Sequence, residues 1–170
     1  MKQNAIPTLT TLRAQAHKVV SRLIARKETL ATAESCTGGL IATCITDIAG
    51  SSAAFCGACV AYVNEVKMGL LDVDPAIIEC ESEVSAPCAE AMANGVRVRW
   101  KSTYALSTTG YAGPTGGTAR DPVGTVYIAL ATPTKTVSER FCAPDGASRA
   151  EVRRAAAMRA LTLLENELHD

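Results

Sequence analysis

Apolar residues near the start of the chain recur with the period of a helix. Leu12, Ala16, Val19, Val20, Leu23 and Ile24 fall on one face between positions 9 and 26, which predicts an amphipathic helix there. A short β-like run, Thr29-Leu30-Ala31, follows, and after a turn a helix-like run extends from Leu40 to Ile45. The stretch 47–52 is a turn-rich break, and a second strand is predicted over 55–63. It leads into a short helix through Leu71, and Asp74-Pro75 opens another through Glu79, with proline suited to the first turn. Ser85 caps a helix over 86–99 that carries Ala89, Met92, Ala93 and Val96 on one face. Buried strands are predicted over 104–108 and 125–130, on either side of a glycine- and proline-rich loop at 109–124. Pro133-Thr134-Lys135 is a hairpin-like turn into an antiparallel strand over 137–142. Ser148 and Glu151 have capping-box spacing and open a last helix lined by Val152, Ala156, Leu161, Leu164 and Leu168.

Helices alternating with strands predict an α/β fold, a three-layer α/β/α sandwich around a mixed, mostly parallel sheet of about five or six strands. Ligands of such sheets bind beyond the carboxyl ends of the strands. No internal repeat, low-complexity tract or linker interrupts the pattern. One domain over 1–170 is therefore expected, with 1–8 as a loose N-terminal arm.

Charge and cysteine content narrow the class. Seventeen acidic residues balance seventeen basic ones, no basic run occurs and aromatics are few, so nucleic acid is not an expected partner. No apolar stretch has the length of a membrane span, and no basic segment leads into a long apolar core at the start, so no membrane partner and a cytoplasmic location are expected. The seven cysteines are odd in number and lie scattered through apparent core segments, as suits reduced thiols. Cys56-Gly57-Ala58-Cys59 has CxxC spacing without a second pair, so no metal site is expected. His17 and His169 read as surface residues of the first and last helical segments.

Candidate chemistry centres on Thr32-Ala33-Glu34-Ser35-Cys36-Thr37-Gly38-Gly39, where a strand turns into a helix. Glycines there let the backbone approach a ligand, and free N–H groups at the helix start favour an anion or a developing oxyanion. The same residues serve equally well as a helix cap and a turn. Cys36 has no obvious histidine partner, which a thiol nucleophile usually has. Tyr62, Asn64 and Lys67 leave the end of a strand together, although each also has an ordinary structural role available: sheet edge, helix cap and solvated side chain. A loop as long as 109–124 is more often functional than not when it is ordered. Arg149 falls in the first turn of the last helix, where a cation opposes the helix dipole unless an anion binds there.

Several motifs in order then carry a resemblance. Thr32 to Gly39, Gly50-Ser51-Ser52, Tyr62-Val63-Asn64-Glu65-Val66-Lys67, Thr109-Gly110-Tyr111-Ala112-Gly113-Pro114, Gly116-Gly117 and Pro122-Val123-Gly124-Thr125-Val126 are similar to the CinA C-terminal domain family. Its stand-alone members are nicotinamide-nucleotide amidases of pyridine-nucleotide recycling. The match runs from about Leu12 to Leu168 and includes no N-terminal domain of the longer CinA proteins.

The resemblance implies hydrolysis of the carboxamide of nicotinamide mononucleotide, a small-molecule nucleotide, with no metal and no organic cofactor. Ser35 matches the nucleophile, Lys67 its activating base and Tyr62 a tyrosine of the same site. Thr37, Gly38, Gly39, Asn64, Thr109 and Gly110 match the pocket, and Arg149 matches a basic residue suited to the substrate's phosphate. Ser51 and Ser52 are reserve nucleophiles. A neutral Lys67 at work requires its pKa to fall from about 10.4 to about 7–8, roughly 4 kcal/mol against the charged form, which burial in an apolar pocket supplies. Tyr62 is expected to relay the proton or hold Lys67. A two-fold homodimer is the expected assembly.

The chain departs from the family pattern at four places. Gly146-Ala147-Ser148-Arg149 replaces Gly-Asp-Arg, Asp121 stands where a lysine is usual, Ser82-Glu83-Val84-Ser85 replaces Gly-Ala-Val-Ser, and Ala58 replaces a glycine. These changes keep two other readings open: a non-catalytic nucleotide-binding module, and an amidohydrolase of the same family acting on another amide.

Overall fold

Leu30–Glu34 forms β1, the second strand of the sheet, and every residue of it is buried. The computed structural model describes residues 6–169. β2 (Phe55–Val60) and β3 (Tyr104–Gly110) flank β1, both parallel to it. β4 (Thr125–Ala131) pairs antiparallel with β3, and β5 (Thr136–Cys142) antiparallel with β4. The order is β2-β1-β3-β4-β5, a five-stranded mixed sheet in which β4 alone runs against the others.

Alternation along the strands gives the sheet two unlike faces. Leu30, Tyr104, Leu106, Val126, Ile128 and Leu130 form one, and it packs under α1 (Leu9–Arg26), α2 (Leu40–Thr46) and α6 (Arg149–Glu167). The other presents Ala31, Ala33, Ala105, Ala129 and Ala131 to α5 (Ala86–Trp100), with α3 (Asn64–Leu71) and α4 (Pro75–Glu81) alongside. An alanine-rich face lets α5 lie close to the sheet. The end of α3 lies equally close to α5: a Cβ added at Gly95 would sit 1.9 Å from the carbonyl oxygen of Leu71. Gly95→Ala is therefore expected to destabilise the protein by about 1–3 kcal/mol, since rigid backbone must move, and urea denaturation will measure it.

The expected three-layer arrangement is thus present, with some boundaries moved. β1 extends three residues past Ala31, because Glu34 finds buried partners described below. β2 stops at Val60; Ala61 N–H makes a last bond to Glu34 O (2.9 Å), and the chain then leaves the sheet. β3 runs on through Gly110, so Thr109 and Gly110 belong to the strand, opposite Tyr127 and Val126, and not to the loop. Residues 1–5 of the expected arm lie outside the described residues. The rest of it is held: Thr8 caps α1 by accepting from Thr11 N–H (3.1 Å), and Pro7 O accepts from Arg154 Nε (2.8 Å).

This topology places a crevice. The chain leaves β1 through α2 to β2 on one side, then returns through α3, α4 and α5 to β3 on the other. The carboxyl ends of β1 and β3 therefore flank a switch point, where α/β sheets bind ligands.

Candidate active site

Ser35 sits directly after β1, its N–H bonded to Thr108 O of β3 (2.9 Å). Gly38 and Gly39 follow with φ of +60° and +87°, backbone that a side chain would strain, and they swing the chain into α2. The first turn of α2 is not open to a ligand, contrary to the sequence expectation. The fully buried carboxylate of Glu34 accepts from Ile41 N–H (3.1 Å) and Ala42 N–H (2.9 Å), so the protein supplies its own anion. Glu34→Gln leaves one of those amides facing an NH2 group. It is expected to cost about 2 kcal/mol in chemical denaturation, the worth of a charge-assisted buried bond. Among the described residues the amides of Cys36 and Thr37 have no acceptor on another residue, and the Cys36 amide lies against its own thiol.

Lys67 approaches from α3 with its side chain 1% exposed. Its Nζ donates to Glu83 O (3.1 Å) and to Thr109 Oγ1 (3.2 Å). Thr109 Oγ1 spends its own proton on Glu83 O (2.7 Å), so toward Lys67 it can only accept. Two hydrogens of the amine are thereby committed to neutral acceptors, and no carboxylate is bonded to it. Burial pushes the Lys67 pKa below the ordinary lysine value; the thiol of Cys88 and the carboxylate of Glu83 act in the opposite sense more weakly.

Cys36 lies next to Ser35 but is closed to nucleophilic work. Burial pushes its thiol up to about 12, so thiolate is scarce at neutral pH. His17 and His169 are exposed and do not line this crevice. Tyr62 is half exposed, and its hydroxyl accepts from Arg149 Nη2 (2.7 Å), while Arg149 Nη1 donates to Gly113 O (2.8 Å). Tyr62 thus holds Arg149, where the sequence reading gave it Lys67.

These side chains enclose a cavity of about 160 Å³. Six residues singled out from the sequence, Ser35, Tyr62, Lys67, Thr109, Gly110 and Arg149, line it together with Cys36, Glu83, Val84, Tyr111 and Ala112. The first group comes from the ends of β1, β2 and β3 and the starts of α3 and α6, separated in sequence and joined only by the fold.

The model of the CinA C-terminal domain matches residues 12–168. The chain belongs to this family. It is 46% identical over 147 residues to a CinA-like protein of Anaeromyxobacter sp. (strain Fw109-5), covering 86% of this chain and 35% of that protein. A CinA-like protein of Myxococcus xanthus is 46% identical over 156 residues, covering 91% and 37%. The chain spans about a third of the length of these curated relatives. The crystal structure of the competence/damage inducible protein CihA from Agrobacterium tumefaciens superposes with a TM-score of 0.89 at 33% identity, covering 99% of this chain and all of that one. The competence damage-inducible protein A (ComA) of Klebsiella pneumoniae gives 0.89 at 32%, covering 93% and 97%.

Four expected pocket residues of the CinA pattern stand behind the cavity wall. The Thr37 hydroxyl is buried against Thr108 Oγ1 (2.7 Å), and its carbonyl accepts from Arg153 Nε (3.2 Å) and Nη2 (2.7 Å). Gly38 and Gly39 shape the turn, and Asn64 opens α3 without capping it. Ser51 and Ser52 lie in a 3-10 turn before β2, at the amino ends of the strands and away from Lys67. Asp121, a departure from the family, is a structural ion pair. It is buried, accepts from Arg140 Nε (2.8 Å) and Tyr127 Oη (3.1 Å), and lies outside the cavity lining. Ala147 and Ser148 likewise leave Arg149 in the cavity, and Ser148 completes the capping box with Glu151.

Sequence reasoning missed Glu34, Glu83 and Arg153. Glu34 stood within the 32–39 turn without a role of its own, and nothing local marks a carboxylate that caps a helix seven residues on. Glu83 carried a signal, the replaced Gly-Ala-Val-Ser run, but no indication that it reaches Lys67. No helix among the described residues is long and apolar enough to cross a membrane.

Proposed function

We propose that this chain is an amidohydrolase that converts nicotinamide mononucleotide to nicotinate mononucleotide and ammonia, with Ser35 as nucleophile and Lys67 as its base. One observation carries the reading. Lys67 is buried in the same cavity as Ser35, and its two hydrogen bonds go to neutral acceptors. A neutral lysine has two N–H donors and one lone pair. With both donors committed, the lone pair is what remains for an incoming hydroxyl proton.

The chemistry then runs without a histidine. Ser35 Oγ attacks the carboxamide carbon as its proton passes to Lys67 Nζ. The carbonyl oxygen becomes an oxyanion, and the amide of Cys36, a residue of the cavity lining, is the donor nearest at hand. Collapse of the intermediate breaks the C–N bond, and Lys67 returns the proton to the departing nitrogen, which leaves as ammonia. Water then attacks the acyl-Ser35 ester, again giving its proton to Lys67, and nicotinate mononucleotide departs with Ser35 restored. Arg149 supplies the positive charge for the phosphate, exchanging its neutral partners Tyr62 Oη and Gly113 O for an anion.

Purified protein is expected to release one ammonia for each nicotinate mononucleotide formed. Binding of the mononucleotide with no ammonia release would favour the non-catalytic module. Faster ammonia release from another amide would move the substrate and leave the Ser35–Lys67 chemistry in place.

A further inference from the structure

Ser82 has φ +90° and ψ 154°, a region held almost only by glycine and costly for a serine by about 1–3 kcal/mol. Three bonds keep it there. Ser82 Oγ donates to Glu83 Oε2 (3.2 Å) and accepts from Val84 N–H (3.1 Å), and Ser82 O accepts from Ser85 Oγ (2.8 Å). The strained corner presents Glu83, whose carbonyl receives both Lys67 and Thr109. That task uses only the main chain and would be met by any residue. The carboxylate is a separate matter.

Glu83 lines the cavity half-buried, on the same wall as Lys67, and its only hydrogen-bond donor among the described residues is the neutral Ser82 hydroxyl. Arg149 lines the same cavity and is held by the neutral Tyr62 hydroxyl and Gly113 carbonyl. An acidic and a basic residue thus line one small space, and among the described residues their charges do not pair with each other. Each is left to be matched by a ligand, and a ligand that matches both carries a positive group near the reacting carbonyl and a negative group farther out.

We propose that Glu83 is a specificity-determining residue that selects carboxamides borne on a positively charged ring, while Arg149 takes the anion of the same molecule. This rests on the amidase reading above. An opposite charge within a few ångströms favours the cationic ring, and a neutral ring of the same shape gains nothing from it. The negative charge of Glu83 also acts on Lys67 against the effect of burial, so its removal leaves Lys67 neutral to lower pH.

Two probes differ in ring charge and little else: nicotinamide mononucleotide and its 1,4-dihydro form, which keeps the carboxamide, ribose and phosphate. Their dissociation constants, measured by calorimetry in a Ser35→Ala background that cannot turn over, are expected to favour the cationic form by about tenfold. In Ser35→Ala/Glu83→Gln, which keeps an acceptor for Ser82 Oγ, and in Ser35→Ala/Glu83→Ala, the preference is expected to fall to within about twofold. In the otherwise wild-type enzyme, Glu83→Gln is expected to move the alkaline rise of activity to lower pH. A preference that persists in both Glu83 variants, the absence of a preference in the parent, or failure to bind either probe would overturn the proposal. Ammonia release by the wild-type protein separates the two readings. Turnover with an unchanged preference removes only the role of Glu83, whereas no turnover and no binding removes the amidase reading with it.

Discussion

Ser35→Ala will lower ammonia release by about 10⁶-fold, the scale on which a covalent nucleophile is lost, while Cys36→Ala will keep most of the activity. The two side chains are neighbours in sequence and line one cavity, so position alone does not choose between them. Electrostatics does. A thiol attacks as thiolate, and the buried Cys36 thiol, pushed up to about 12, holds almost none at neutral pH. A serine hydroxyl is never ionised beforehand and needs only a base that takes its proton during attack. Lys67 in the same cavity is the base proposed for it. Substrate affinity in Ser35→Ala should change little, because the contacts proposed for phosphate and ring do not involve Oγ. Full activity in Ser35→Ala would remove the nucleophile. Its loss in Cys36→Ala, with the protein folded, would transfer the role to the thiol.

Lys67→Met will abolish turnover to a similar extent and leave the protein as stable as the parent at neutral pH, or more so. Burial lowers the Lys67 pKa in the folded state, whereas in the unfolded chain it returns to about 10.4. Between the two values the unfolded chain binds more protons than the folded protein, so stability rises with pH across that window. Below the folded value the cost of burying the charge is present in full. Each tenfold loss of proton affinity corresponds to about 1.4 kcal/mol of that cost. Methionine fills similar space without charge, and Thr109 Oγ1 keeps its bond to Glu83 O, so no buried donor is orphaned. Thermal unfolding at several pH values should therefore show a flatter alkaline slope in Lys67→Met. The same ionisation governs rate. Parent activity should climb with pH to a plateau with a midpoint below the ordinary lysine value. Lys67→Arg, which stays charged, should be inactive throughout. A marked loss of stability in Lys67→Met at neutral pH would show that the charge is compensated in the folded protein and sink this account of the base.

Both experiments depend on a site that was only partly legible beforehand. Helical periodicity around Leu12 to Leu23, the capping box of Ser148 and Glu151, and the alternation of elements were enough to predict the layered α/β fold. These signals are local: a helical stripe or a cap is written in residues three or four apart, and the sequence by itself determined them. Ser35, Tyr62, Lys67 and Arg149 stood out for the same kind of reason, as hydroxyls and charges at the ends of elements. Their roles were set elsewhere. Lys67 read locally either as a solvated side chain or as a buried base, and it is nearly inaccessible because β3 and the strained corner at Ser82 close over it. Tyr62 was assigned to Lys67 and instead holds Arg149, which lies 87 residues away in sequence. Glu34, a turn residue without a role in the sequence reading, is the anion at the start of α2, and so took the helix terminus that the sequence had offered to a ligand. In each case the deciding quantity was access to water or the identity of a distant partner. The sequence determined which elements form and which side chains are chemically able; only the tertiary structure decided which of those side chains lose their water and whom they meet, because desolvation and pairing depend on distances between segments that no local pattern encodes.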